Sequence, residues 1–266
     1  MGIVNVTPDS FSDGGRHATT QAAVAHGRRL LDDGADLLDI GGESTRPGAA
    51  PVASDEELAR VMPVIEGLSG ARLSIDTMKP VVARAAIAAG ASLWNDVSAL
   101  GAPGAPELAA ELGCEVVLMH MQGAPRTMQT APRYDDVVAE VEAFLLTRVD
   151  AAMAAGVARD RLWLDPGIGF GKTLEHNLAL MAALPRLAGH GLPLLLGASR
   201  KRFIAAIDPG GADAAARLGG SIALALAGAH AGVTAVRVHD VRETVQALAV
   251  QAAVRRAGLD HAFASD

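Results

Sequence analysis

Cysteine occurs once in the 266 residues, as Cys114. A lone thiol cannot close an internal disulfide and gives no thiolate cluster for a metal. Aromatic residues are nearly as scarce, at 3% of a chain that is 50% hydrophobic. Any core is therefore packed from Ala, Val, Leu and Ile. Positive charge is also short: the formal net charge is −7, which argues against general nucleic-acid binding. No basic segment leads into an apolar one at the start, as a secretory signal would require. Leu218–Val236 carries no formal charge, but Gly219, Gly220, Gly228, His230 and Gly232 interrupt it. It reads as a helix followed by a strand rather than a membrane span. A dinucleotide fingerprint, G-x-G-x-x-G after the first strand, is missing too. These absences leave the expectation of a soluble cytoplasmic protein with no nucleic-acid or membrane partner.

What is present centres on Leu162–Lys172, reading LWLDPGIGFGK. Leu162, Trp163 and Leu164 form a short apolar run, as expected of a strand buried on both faces. The run stops at Asp165. Pro166 then ends sheet pairing, and Gly167, Gly169 and Gly171 let the backbone turn close to whatever the acid holds. A carboxylate at the mouth of a buried strand costs several kcal/mol to desolvate, roughly, unless it is paired. An Asp that merely caps the next helix would leave the three spaced glycines and Lys172 unexplained, so a ligand-facing role is preferred.

The rest of the chain repeats that grammar. Strands are expected at Gly2–Val6, Leu37–Ile40, Leu73–Ile75, Ser92–Trp94, Val116–Met119, Leu162–Leu164, Leu194–Leu196 and Ala235–Val238. Helical stretches alternate with them: Thr20–Asp33, Asp55–Leu68, Pro80–Ala89, Ala105–Leu112, Asp135–Ala155, Leu178–Leu187, Arg217–Ala231 and Val241–Ala257. Ser54 with Glu57 reads as a capping box for the second helix. Eight alternations without a linker predict an α/β single-domain (β/α)8 TIM barrel over residues 1–266, with an open doubly wound sheet as the alternative. The loops after strands 1 and 2, Thr7–Gly15 and Gly42–Pro51, are long for such a unit and suit lids.

Polar residues gather at the strands' C-terminal ends: Asn5, Glu43, Asp76, Asn95, His120, Asp165, Lys201, Arg237 and His239. In a closed barrel those ends form one rim, where active sites on this fold sit. Asp76, Asn95 and Asp165 offer acceptors and an amide for a flat heterocycle bearing adjacent N–H groups. Lys201 adds a point cation, Arg237 a group that stacks or forks onto phosphate, and His239 a neutral or cationic donor. Ser199–Lys201 are expected to open a short helix whose N-terminus receives an anion. The set suits a heterocycle carrying an anionic group.

Asn5–Gly15 (NVTPDSFSDGG), Gly41–Gly48 (GGESTRPG), Ser74–Pro80 (SIDTMKP), Leu164–Lys172, Gly197–Lys201 and Arg237–Asp240 (RVHD) together resemble the dihydropteroate synthase family. The likeness spreads from residue 2 to about residue 250. It implies a barrel enzyme, a transferase of folate biosynthesis, that joins 4-aminobenzoate to 6-hydroxymethyl-7,8-dihydropterin diphosphate and releases pyrophosphate. It further implies magnesium, a homodimer and a sulfonamide target. By motif match, Asp76, Asn95, Asp165 and Lys201 would hold the pterin, with Met119 against the ring and Arg237 across its face. Asn5, Thr45, Arg237 and His239 would bind the pyrophosphate, Asn5 also being a magnesium ligand. Phe11, Thr45, Arg46, Pro47 and Ser199 would bind the aminobenzoate, alongside Pro8, Asp9 and Ser10 of the first loop. Asp76, Asp165, Lys201, Arg237 and His239 would carry the chemistry.

The chain departs from the family in beginning almost on its first strand, where relatives usually carry further residues. His120 and Glu43 are read as architectural, Lys172 as a loop anchor, and Asp39 as open between structure and site. Three rival functions are weighed. A pterin-binding methyltransfer barrel has no use for Asn5, the first loop or RVHD. A non-catalytic pterin-binding relative would lose loop residues that are complete here. A Schiff-base aldolase using Lys201 would need an apolar pocket and a depressed lysine pKa.

Overall fold

The computed structural model describes residues 1–7, 15–45 and 48–263, and the side chains among them except those of 15–19 and 259–263. Phe11, Arg46, Pro47 and the Pro8–Ser10 segment thus lie outside the described residues. Six strands, β1 (Gly2–Asn5), β2 (Leu38–Gly41), β3 (Leu73–Asp76), β4 (Leu93–Asp96), β5 (Glu115–Met119) and β6 (Leu162–Asp165), pair in sequence order. Every pairing is parallel, with Asn5 opposite Gly41, Gly41 opposite Asp76, Asp76 opposite Asn95 and Met119 opposite Asp165. Two short strands, β7 (Leu195–Leu196) and β8 (Ala235–Val236), form a second parallel pair. Single parallel bridges, Leu164 to Leu194 and Gly2 to Val238, join the two sheets at both ends. The strands therefore close on themselves as a barrel, and the open-sheet alternative is excluded.

Among the described residues ten α-helices surround them: α1 (Gly15–Asp32), α2 (Ser54–Gly67), α3 (Pro80–Ala88), α4 (Ala105–Leu112), α5 (Val137–Ala154), α6 (Leu174–Ala182), α7 (Leu184–Ala188), α8 (Arg202–Ile207), α9 (Leu218–Ala231) and α10 (Val241–Phe263). Several differ from expectation: α1 begins five residues early at Gly15, and α10 runs on to Phe263. Helix α6 starts four residues early because Thr173 Oγ1 accepts from His176 N and His176 Nδ1 accepts from Thr173 N, a capping box with His in the usual Glu place. Its expected single run is split in two, α7 beginning with Leu184–Pro185. Helix α2 lacks the expected Ser54–Glu57 box: Ala53 holds the cap position with no side-chain bond, and Glu57 turns inward. No described helix is long and apolar enough to cross a membrane.

Alternation along the strands sorts the core into two layers. Leu38, Ile40, Ile75, Trp94, Leu118, Leu164 and Leu196 belong to the larger apolar cluster shared with the helices. Met1, Leu37, Leu93, Val117, Trp163 and Leu195 form a separate small cluster with Ala235. This second set fills the barrel interior near the strand starts. Burying one such leucine contributes roughly 1.5–3 kcal/mol.

Candidate active site

Two residues beyond that apolar ring, the same interior-facing positions carry Ile3, Asp39, Asn95, Met119, Asp165, Gly197 and Arg237. Asp39 is fully buried, and its Oδ2 accepts from Asn95 Nδ2 at 3.1 Å and from Arg237 Nε at 2.5 Å. Arg237 Nη2 donates to Asp76 Oδ2 at 2.8 Å. One guanidinium thus forks between two acids on neighbouring strands, a geometry that lysine could not supply. Burial pushes the Asp76 carboxyl up to about 7, against the pull of Arg237 and with the push of Asp39. The other oxygen of Asp39, Oδ1, is buried without a hydrogen-bond partner among the described residues. Asp39, left open by the sequence, belongs with the site.

The loop after β6 explains its glycines. Gly167, Gly169 and Gly171 all have left-handed backbones, with φ of +66°, +81° and +60°. A Cβ at Gly167 would lie 1.8 Å from the His120 carbonyl oxygen, and one at Gly171 would lie 2.6 Å from that of Gln122. A Cβ at Gly169 would lie 2.9 Å from Lys201 Cδ. The loop therefore packs against both the segment following β5 and the lysine following β7. Within it, Asp165 Oδ1 accepts from Gly167 N at 2.7 Å. Burial raises the Asp165 carboxyl above the usual range, opposed by that amide and by Lys201 and Lys172.

Lys172 is buried, 2.9 Å from His120 Nδ1, and donates to the Phe170 carbonyl at 3.0 Å and more weakly to that of His120 at 3.4 Å. Burial lowers its pKa to about 7 and that of His120 to about 3. His120 is thus a neutral acceptor, and Lys172 ties the β5 and β6 loops together. Lys201 Nζ sits 4.0 Å from the centre of the Phe170 ring, a cation–π seat. Desolvation and Arg237 lower its pKa to about 8, with Asp165 and Asp76 opposing.

Beyond β7 and β8 one expectation fails. The expected short helix is there, but Ser199 does not open it: α8 starts at Arg202 with the extended Lys201 at its N-cap, and Arg200, at a φ of +57°, separates Ser199 from that cap. Ser199 Oγ instead lies 3.0 Å from His239 Nδ1 and accepts from His239 N at 3.2 Å. Burial, then Arg237 and Arg200, push the His239 pKa down to about 3, so the ring is neutral. Arg200 is held outward by an ion pair with Asp240, Nε to Oδ2 being 2.9 Å. Arg217 braces this turn from behind through the carbonyls of Arg200, Gly211 and Ala212.

Asp76, Asn95, Met119, Asp165, Lys201 and Arg237 are thus gathered from six strands around one mouth, with Asn5 closing β1 beside them. A Cβ at Gly41 would sit 3.6 Å from Asp76 Oδ2 and 3.8 Å from Asn5 Oδ1. Thr45 follows β2 half-buried. The sequence reading missed Asp240, Arg217, Glu57 and Lys79, and only the capping-box pattern pointed to Glu57, for the wrong reason. No group of three or more His, Cys, Asp or Glu among the described residues is placed to hold a metal.

Comparison with known proteins bears on what this arrangement does. The sequence profile of the family described as pterin binding enzyme matches residues 1–239. Dihydropteroate synthase of Escherichia coli K12 is 50% identical over 253 residues, which cover 94% of this chain and 89% of that protein. The solved structure of Xanthomonas albilineans dihydropteroate synthase with 4-aminobenzoic acid has a TM-score of 0.90 at 56% identity, covering 96% of this chain and 92% of that one. The same enzyme in complex with 7,8-dihydropteroate gives a TM-score of 0.87 at 53% identity with the same coverage.

Proposed function

The chain belongs to the dihydropteroate synthase family of pterin-binding enzymes, and on that premise we propose that its buried polar layer is the pterin diphosphate site. It is a transferase that condenses 4-aminobenzoate with 6-hydroxymethyl-7,8-dihydropterin diphosphate to give 7,8-dihydropteroate and pyrophosphate in folate biosynthesis. The observation that carries the assignment of residues is the pair Asp76 and Asp165. They are buried on different strands, raised above the ordinary carboxylate range, and flanked by Asn95. Acids in that condition are short of donors, and the N–H edge of a pterin supplies them.

In this reading Asp76, Asn95 and Asp165 take the ring edge, Lys201 meets a ring carbonyl or nitrogen, and Met119 packs on the ring. Arg237, already oriented by Asp39 and Asp76, lies across the face and reaches the diphosphate together with His239, Thr45 and Asn5. The C–O bond to the diphosphate breaks, its electron pair going to the leaving oxygen. Preoriented donors from Arg237 and His239 stabilise that growing negative charge. The positive charge left on the pterin is favoured by the carboxylates of Asp76 and Asp165. The neutral aryl amine forms the new C–N bond and then loses its proton to solvent, so no strong base is required. Ser199, tied to His239, and the second-loop Thr45, Arg46 and Pro47 with Phe11 border the aminobenzoate.

Magnesium uses hard oxygen ligands and commonly takes only one or two from protein, with phosphate and water supplying the rest. The amide oxygen of Asn5 beside a diphosphate fits that pattern, and a cluster of three acidic or imidazole ligands is not needed. When bound, the ion would neutralise charge on the diphosphate. The reading extends to one barrel domain over residues 1–266, working as a homodimer, as the family resemblance implies, and in the cytoplasm, as the composition suggests. The test is pyrophosphate release from the pterin diphosphate with magnesium, with and without 4-aminobenzoate. Aminobenzoate-dependent release with formation of dihydropteroate is expected. Binding of the pterin without turnover would contradict it.

A further inference from the structure

The segment from Gly42 to Val52 joins β2 to α2 and carries Thr45. Its described ends are fastened by an ionic cluster that is hydrogen-bonded apart from the pterin layer, although the Glu57 charge helps to raise the Asp76 carboxyl. Glu43, with only 9% of its side chain exposed, accepts from Val52 N at 3.1 Å through Oε1 and so spans the base of the loop. Its other oxygen is bound by Lys79 Nζ, and the same ammonium binds Glu57, which is fully buried. Lys79 is itself fixed at the entrance of α3: its backbone N donates to Thr77 Oγ1 at 3.1 Å, and the Thr77 carbonyl accepts from Trp94 Nε1 at 2.8 Å. Arg60 Nη1 on α2 donates to the Gly42 carbonyl at 2.7 Å.

Two acids share one ammonium, and Glu57 Oε1 is buried with no hydrogen-bond partner among the described residues. Breaking such a pair is costly, yet well-packed apolar residues in its place would commonly be neutral or stabilising. Stability alone therefore does not account for the cluster. What it does is fix the two ends of the second loop, through Glu43, to Lys79 at the entrance of α3, three residues beyond Asp76. We propose that Glu43 and Lys79, backed by Glu57, are positioning residues that set the second loop for 4-aminobenzoate and leave binding of the pterin ring itself untouched. The proposal rests on the synthase reading above, in which Thr45 borders that substrate.

The test is a split between the two substrates in Glu43→Ala and Glu43→Gln, both of which leave the Lys79–Glu57 pair in place. Glu43→Ala removes the span to Val52 and one carboxylate. Its KM for 4-aminobenzoate is expected to rise roughly tenfold, the scale that misplacing a positioning element by a fraction of an ångström produces. Its Kd for 6-hydroxymethyl-7,8-dihydropterin, which lacks the diphosphate that Thr45 reaches, should stay within about twofold of wild type by calorimetry. Glu43→Gln keeps an oxygen for Val52 N and the side chain's shape, and should raise the aminobenzoate KM only about threefold. It also serves as the test should the alanine variant fail to fold. Unchanged aminobenzoate KM in a folded variant, or equal weakening of aminobenzoate and of the diphosphate-free pterin, would overturn the proposal. A wild-type protein without aminobenzoate-dependent pyrophosphate release would instead sink the synthase reading itself.

Discussion

Leu37, Leu93, Val117, Trp163 and Leu195 stand two residues before Asp39, Asn95, Met119, Asp165 and Gly197 on the same stretches of chain. Exposure does not separate the two sets, since Trp163 is 6% exposed and Asp165 5%. Their chemistry does. The first ring is closed chiefly by apolar contact, with the Trp163 indole N–H satisfied by Glu115 Oε1, and its burial is a net gain. The second ring carries acids and a guanidinium whose desolvation is only partly offset by Asn95, Arg237 and the Gly167 amide. One layer holds the barrel together, and the next keeps unsatisfied capacity for a ligand. A step of two residues along a strand is enough to pass from one to the other.

The comparison breaks most severely at the loop that lets Asp165 sit where it does. Gly167→Ala would place a methyl 1.8 Å from the His120 carbonyl on a left-handed backbone. Denaturant unfolding should show a loss of roughly 4 kcal/mol or more, and activity should vanish with the fold. Asp165→Asn is expected to do the reverse, lowering kcat/KM for the pterin diphosphate ~10³-fold, which is about 4 kcal/mol of transition-state stabilisation. Its Tm should stay within about 3 °C, because an amide is cheaper to bury than a carboxylate. Leu93→Ala belongs to the other ring. It should destabilise by roughly 2–5 kcal/mol through a cavity, lowering Tm by about 5–15 °C, with KM for both substrates unchanged.

The smallest effect is that of pH. Asp76, raised to about 7, is protonated below that value and then no longer pairs as an anion with Arg237 or the ring. Lys201, lowered to about 8, loses its charge above that value. The profile of kcat/KM for the pterin diphosphate, which reports the free enzyme, should therefore fall on the acid side near 7 and on the alkaline side near 8. Lys172 titrates close to the same limb, gaining its charge as Asp76 loses its own. Asp76→Asn separates them: if Asp76 governs that limb, the variant's lower rate becomes flat there.

The two rings were not equally legible in the sequence. Asp76, Asn95 and Asp165 stand out because each ends a short apolar run, where a polar residue can only face the barrel mouth. Asp39 is the exception. It sits inside the run LLDI, and what assigns it, the Arg237 guanidinium, lies 198 residues away. Ser199 was misplaced because the left-handed turn that separates it from α8 falls on Arg200, an ordinary residue with no glycine to signal it. Glu57 looked like a cap partner three residues after Ser54, whereas an ammonium 22 residues on draws it inward. Local spacing reveals strands, caps and strand ends. It does not reveal ion pairs made across the closed barrel.

The central claim is the division of labour between adjacent rings, and one paired measurement reaches it directly. Pterin diphosphate Kd by calorimetry and Tm by scanning would be determined together for Asp165→Asn and Leu93→Ala. The account predicts that Asp165→Asn loses pterin affinity at nearly unchanged Tm, while Leu93→Ala loses Tm at unchanged Kd. Equal loss of pterin affinity in a folded Leu93→Ala would contradict it.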